Sequence, residues 1–287
     1  MAVVASGLVT SGLGCHGGTT ILTELTEAGR LSADLRIQFN RASDASNRAV
    51  MADTDAASIG FAREAQHDKS LVRKEAAELA PHLRNLGKEA EIASLDGFGK
   101  HFAEYERLDT SILELAVENT NLKAQRLSFG PAREAADAFR DSLDALAAGA
   151  STSRERCEEG ALVAKAVRAV REIQVLQAPH IAEADDAVMT KLESEMAALR
   201  ATARDALKAL QRQPDASRSR PLVAEAVAAL DRFDALSADI VRLSRRNSNV
   251  RSLELSLTQK PAVTAACDAS LRALQEALAK EVFTATR

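Results

Sequence analysis

Residues 102–122 read FAEYERLDTSILELAVENTNL, and the spacing of the large side chains in this stretch decides the fold. Phe102, Tyr105, Leu108, Ile112, Leu115, Asn119 and Leu122 follow one another at intervals of three or four residues. Such spacing keeps one stripe on one face of an α-helix, close to the coiled-coil period. Glu104, Arg107 and Glu114 fall between the stripe positions and read as a solvated face. A second stretch has the same pattern: Leu230, Phe233, Leu236, Ile240, Leu243, Asn247 and Val250, with Arg232, Arg242 and Arg245 between them. Long amphipathic helices of this kind bury their stripes against other helices.

The two stretches are related to each other. A shift of 128 residues places Tyr105 on Phe233, Leu108 on Leu236, Ile112 on Ile240 and Leu115 on Leu243. It also places Asn119-Thr120-Asn121-Leu122-Lys123 on Asn247-Ser248-Asn249-Val250-Arg251. Two extra residues bring Pro131 onto Pro261, and register returns at Ser142 over Ser270. An internal repeat of this length predicts two related helical units.

Composition agrees. Among 287 residues, hydrophobic types supply 46% and charged types 27%, enough for an ordinary core. Alanine, the strongest helix former, supplies about a fifth of the chain. With 13 Gly and 6 Pro there are too few turn-formers for a β-sandwich or barrel. The expected fold is all-α: two antiparallel four-helix-bundle units in tandem, either separate or stacked as one elongated bundle. The expected division is a tail over 1–18, a first unit over 19–150 and a second over 151–287, with Gly149-Ala150-Ser151-Thr152-Ser153 between the units. Proline lacks an amide donor and disfavours helix in the residue before it. Helix ends or kinks are therefore expected around Pro81, Pro131, Pro179, Gln213–Pro221 and Pro261, and near Gly97 and Gly99.

The tail from Ala2 to Cys15 is uncharged and mostly apolar, but too short to span a bilayer as a helix. Ser11-Gly12-Leu13-Gly14-Cys15 is similar to a bacterial lipobox, which implies lipidation of Cys15 and a membrane tether. A plain cytosolic tail is the alternative. Net charge is −4, with both signs interspersed, so nucleic acid is not an expected partner. Cys15, Cys157 and Cys267 are odd in number and far apart, which is no disulfide framework.

Little in the chain points to catalysis. Gly12-Leu13-Gly14-Cys15-His16-Gly17 fits G-x-G-x-x-G, but no further strands accompany it. Glu64-Ala65-Gln66-His67 is a single Glu-x-x-His, where a bundle metal site uses two and further glutamates. His16, His67, His82, His101 and His180 are scattered, and each reads as solvated or capping. No catalytic residue, metal site or cofactor is expected. The residues that stand out are Asn119 and Asn247, polar positions on apolar stripes, with Asn121 and Asn249 beside them. Such amides either fix helix register or line a small-ligand site. Under the register reading, Asn247→Leu should raise thermal stability while loosening oligomer or register specificity. Arg126, Arg246 and Arg251 lie near the same level and could meet an anion.

The segments Leu115–Ser128 and Leu243–Ser252, preceded by Phe102, Tyr105 and Phe233, resemble the four-helix-bundle sensor domain of methyl-accepting chemotaxis receptors. Gln177-Ala178-Pro179-His180-Ile181-Ala182-Glu183 resembles it too, and the likeness extends over most of residues 20–285. It implies a non-catalytic, extracytoplasmic module that dimerises, binds a small ligand or a protein partner, and passes on a small helix displacement. The sequence carries no methylation hairpin, so signalling in the family manner is not expected from it alone. The competing expectation is a structural or adaptor bundle without a small ligand.

Overall fold

The computed structural model describes residues 16–149, 153–212 and 216–285, and it is all-α, with no strand among the described residues. Ten α-helices follow one another among them. They are α1 (His16–Met51), α2 (Asp55–Asn85), α3 (Glu89–Glu118), α4 (Thr120–Leu127), α5 (Arg133–Ala148), α6 (Ser153–Ala182), α7 (Asp186–Gln211), α8 (Ala216–Arg246), α9 (Ser248–Thr258) and α10 (Lys260–Ala285). A π-helical turn, Ser128–Ala132, joins α4 to α5.

The helices end where short polar segments offer caps. Asp185 is extended and accepts from the amides of Ala187 and Val188, which starts α7. Thr54 does the same for α2 through Ala57. Gly87, at φ +62°, takes the left-handed turn between α2 and α3 that a side chain would strain.

Several expected breaks are absent. Pro81 and Pro179 lie inside α2 and α6, and Gly97 and Gly99 lie inside α3. Pro81 and Pro179 lie within the last two turns of their helices, and each forgoes its own i→i−4 amide bond without ending the helix. Pro131 is absorbed by the π turn, whose wider spacing accommodates a residue with no amide donor. Instead, both long stripes break at asparagine. Asn119 and Asn247 adopt left-handed backbone, φ 49° and 53°, the only non-glycine residues described to do so. Asparagine tolerates this conformation better than most residues and commonly ends helices.

Two compact units form, and neither is a continuous half of the chain. Unit 1 comprises residues 1–48, 60–110 and 257–287, and unit 2 comprises 49–59 and 111–256. These ranges differ from the sequential division at residue 150. The reason is where the stripes find partners: α10 supplies Cys267, Leu271, Leu274 and Leu278 to a core with α1, α2 and α3. In that core Phe39 meets Phe98 and Tyr105 edge-on at centroid distances of 6.1 and 5.2 Å, while Phe98 stacks on Phe102 at 5.5 Å. The unit 2 core is built from α4 to α8, with Phe139, Ile173, Leu230, Phe233 and Ile240 fully buried.

Candidate functional site

The helix breaks at Asn119 and Asn247 meet in unit 2 and form a reciprocal clasp. Because the same tripeptide pattern enters twice, each bond has a counterpart 128 residues away. The Thr120 amide donates to Ser248 Oγ at 3.1 Å, and the Ser248 amide donates to Thr120 Oγ1 at 3.0 Å. The Asn121 amide donates to Asn249 Oδ1 at 3.1 Å, and the Asn249 amide to Asn121 Oδ1 at 3.2 Å. Asn121 Nδ2 donates to Asn247 Oδ1 at 2.7 Å, and Asn249 Nδ2 to Asn119 Oδ1 at 2.9 Å. The amides at the first turns of α4 and α9, which no helical carbonyl can serve, are therefore partly satisfied by the opposite helix.

All four predicted asparagines are brought together, and Asn119, Asn121 and Asn247 are buried. Their side chains bond chiefly to one another and to backbone. Asn121 Nδ2 also reaches the Ile181 carbonyl at 2.6 Å, and Asn247 Nδ2 donates to the Glu183 carbonyl at 2.7 Å, holding the turn between α6 and α7. Asn119 Nδ2 is the clasp's one buried amide nitrogen without a protein acceptor.

An ion pair flanks the clasp. Arg246 donates through two nitrogens to Glu118, again 128 residues away, and this hydrogen bond holds the Glu118 carboxyl below its ordinary range. Arg126 reaches Asp55 and the Asp53 carbonyl. Arg126 and Arg246 are thus engaged by carboxylates, which leaves an anion little to gain from them. Cys15 lies outside the described residues, as do Gly12 and Gly14 of the glycine motif. Cys157, exposed, and Cys267, buried, are free thiols, and burial pushes the Cys267 thiol up to about 12. Among the described residues no cluster of three or more His, Cys, Asp or Glu is arranged to hold a metal ion.

Two buried polar clusters escaped the sequence reading. The first centres on His180, which is fully buried rather than solvated. Its Nδ1 lies 2.8 Å from Ser244 Oγ and its Nε2 lies 2.9 Å from Glu193 Oε1. Ser244 Oγ in turn donates to the His180 carbonyl at 2.7 Å, and Arg245 Nε donates to Glu193 Oε1 at 2.6 Å. Arg245, opposed by burial, holds the Glu193 carboxyl below its ordinary range. The residues are those of a Ser-His-Glu triad, but the serine is fully buried and its proton goes to a backbone carbonyl, so it is no nucleophile. The only sequence signal was the fourth-residue spacing of Ser244 from Ile240 on the buried stripe.

The second cluster lies in unit 1. Asp109, fully buried, pairs with Lys69 at 2.7 Å and Lys260 at 3.2 Å and accepts from Ser46 at 2.5 Å. Lys260 Nζ also donates to Ser46 and Asn47, and it sits 5.6 Å from the Tyr105 ring centroid. Burial pushes the Lys260 ammonium down, against the attraction of Asp109. Asp109 lies four residues from Tyr105 on the same helix face, so its burial was legible in the spacing; its two lysines, on other helices, were not.

Compared with protein-family models and with curated proteins, the chain matches none.

Proposed function

We propose that this chain is a non-catalytic helical module of the sensor or adaptor kind, built from two four-helix units, that works by engaging a protein partner. The observation that carries this reading is the clasp. Its asparagine amides spend their hydrogen-bonding capacity on one another and on two carbonyls of the α6–α7 turn, with Asn119 Nδ2 as the exception. A small-ligand pocket presents convergent polar groups to a cavity; a register device satisfies them internally. The internal arrangement favours register. On unit 2, α6 and α7 also border a groove of about 480 Å³, lined by Glu172, Val175, Leu176, Glu195, Ala198 and Leu199. Val175 is 72% exposed there, which suits an apolar side chain of a partner flanked by basic residues. The likeness to chemoreceptor sensor domains points the same way, and with it come a homodimeric state and an extracytoplasmic, tethered location. No described helix is long and apolar enough to cross a membrane.

A second reading, a small-ligand sensor, draws on Asn119 Nδ2, a donor that a ligand's carbonyl or carboxylate could meet. Thermal unfolding against amino acids, organic acids and purines separates the two. The expected result is no concentration-dependent rise in Tm. A rise of several degrees that Asn119→Ala abolishes would overturn the partner reading in favour of the ligand sensor.

A further inference from the structure

The clasp repeats itself in sequence but not in what it holds. Backbone amides fix the orientation of its asparagine side chains. The Asn121 and Asn249 amides can only donate, so the atoms they meet on Asn249 and Asn121 are Oδ1. The Nδ2 atoms of Asn121 and Asn249 then donate in turn, to Oδ1 of Asn247 and Asn119. This leaves Nδ2 of Asn119 and Asn247 turned away from the clasp. Asn247 Nδ2 reaches the Glu183 carbonyl, and Asn121 Nδ2 also reaches that of Ile181, so this half grips the α6–α7 turn. In the other half Asn249 Nδ2 reaches Asn119 alone, and the fully buried Asn119 has no acceptor for its Nδ2.

The turn that corresponds to α6–α7 is α1–α2, and it belongs to the same unit. Aligning the caps Thr54 and Asp185 places Val50 on Ile181 and Ala52 on Glu183. Residues 49–54 and 180–185 then share one order: buried, buried, exposed, half-buried, exposed, exposed. Both turns are also anchored alike at their start. Ser58 Oγ lies 3.1 Å from the Ala49 carbonyl, and Ser244 Oγ lies 2.7 Å from the His180 carbonyl. What differs is Arg126, which meets the Asp53 carbonyl at 3.4 Å and Asp55 at 3.3 Å. Its counterpart in the second repeat is Glu254, which cannot donate in this way.

We propose that the α1–α2 turn is a jaw standing open against the clasp, and that the α6–α7 turn displays its closed form. On closing, the Ala52 carbonyl is received by Asn119 Nδ2 and the Val50 carbonyl by Asn249 Nδ2. The two states are close in free energy because each has its own holds. Closing gives a buried, unpartnered donor its acceptor, and leaving such a donor unmade is costly. Opening keeps the contacts of Arg126, which are long and exposed and therefore weak. The jaw lies within unit 2 and goes beyond the partner reading: it needs no ligand and no partner.

The test is NMR relaxation dispersion on the full chain, following the amides and carbonyl carbons of residues 49–55 and 180–186 and the Asn119 side-chain amide. Exchange is expected at the α1–α2 turn and at Asn119, from a closed state populated to about 1–10%, with flat profiles at the α6–α7 turn. The minor-state carbonyl shifts of Val50 and Ala52 should move in the hydrogen-bonded direction. Asn119→Gly removes the grip and should suppress the exchange. Arg126→Gln alters an exposed side chain and should raise the closed fraction about threefold. Flat profiles at the α1–α2 turn in both the wild type and Arg126→Gln would overturn the jaw. So would exchange that Asn119→Gly leaves unchanged, or a long-lived water found on Asn119 Nδ2 in place of exchange.

Discussion

Asn247 and Asn119 occupy the same place in the repeat but do different amounts of work. Both hold left-handed backbone, at φ 53° and 49°. Only Asn247 spends both ends of its amide, accepting from Asn121 and donating to the Glu183 carbonyl. Asn119 accepts from Asn249 and donates to no protein atom. The geometry therefore reverses the expectation that leucine at 247 stabilises. Leucine there would leave the Glu183 carbonyl and Asn121 Nδ2 short of a partner and would strain a left-handed residue. Asn247→Leu should lower stability by about 2–3 kcal/mol in urea unfolding. Glycine keeps the backbone at ease, so Asn247→Gly and Asn119→Gly isolate the amides. The first should cost about 1 kcal/mol more than the second, and equal costs would contradict the asymmetry.

At the scale of the element, α10 begins with a buried charge. Lys260 is its first residue, 3% exposed, and shares Asp109 with Lys69, two ammoniums on one carboxylate. Burial holds its folded-state pKa below the ordinary 10.5. The folded chain then gives up this proton before the unfolded chain does, so unfolded molecules bind more protons in the interval between the two values. Stability must rise with pH through that interval, up to about pH 10.5. The charged Lys260 is thus a cost at neutral pH that alkali relieves. Lys260→Met keeps the Lys69–Asp109 pair and removes the excess charge. It should be neutral or stabilising by up to ~1 kcal/mol at pH 7, and the wild type should gain on it as pH rises toward 10.5. Urea unfolding of both proteins across that range checks the sign, and a difference that stays flat would reject the assigned direction.

The whole molecule adds a constraint that neither repeat carries alone. Unit 1 closes only when α10 returns to α1, α2 and α3, bringing Cys267, Leu271, Leu274 and Leu278 into its core. Burying a leucine contributes about 1.5–3 kcal/mol, so three of them rival the entire stability of a typical domain. A fragment of residues 19–150 would expose Phe39, Phe98 and Tyr105 to water. It should lose cooperative thermal unfolding by circular dichroism, and a sharp transition from that fragment would contradict the discontinuous unit.

The sequence by itself determined the helices and their buried faces. Every three-or-four-residue stripe position from Phe102 to Asn119 is buried or half-buried, because the helical period alone decides which side chains share a face. It also marked the duplicated asparagines, since a polar residue on an apolar stripe is visible without coordinates. What it could not supply was the pairing. The prolines at 81 and 179 do not end their helices, because packing outweighs local preference near a helix end. His180, Glu193 and Ser244 meet across three helices, and Asp109 meets lysines 40 and 151 residues away along the chain; no local pattern encodes such distances. Only the tertiary structure decided that the second stripe partner of unit 1 would come from the end of the chain, because a helix's apolar face specifies that it must be covered and not by which helix.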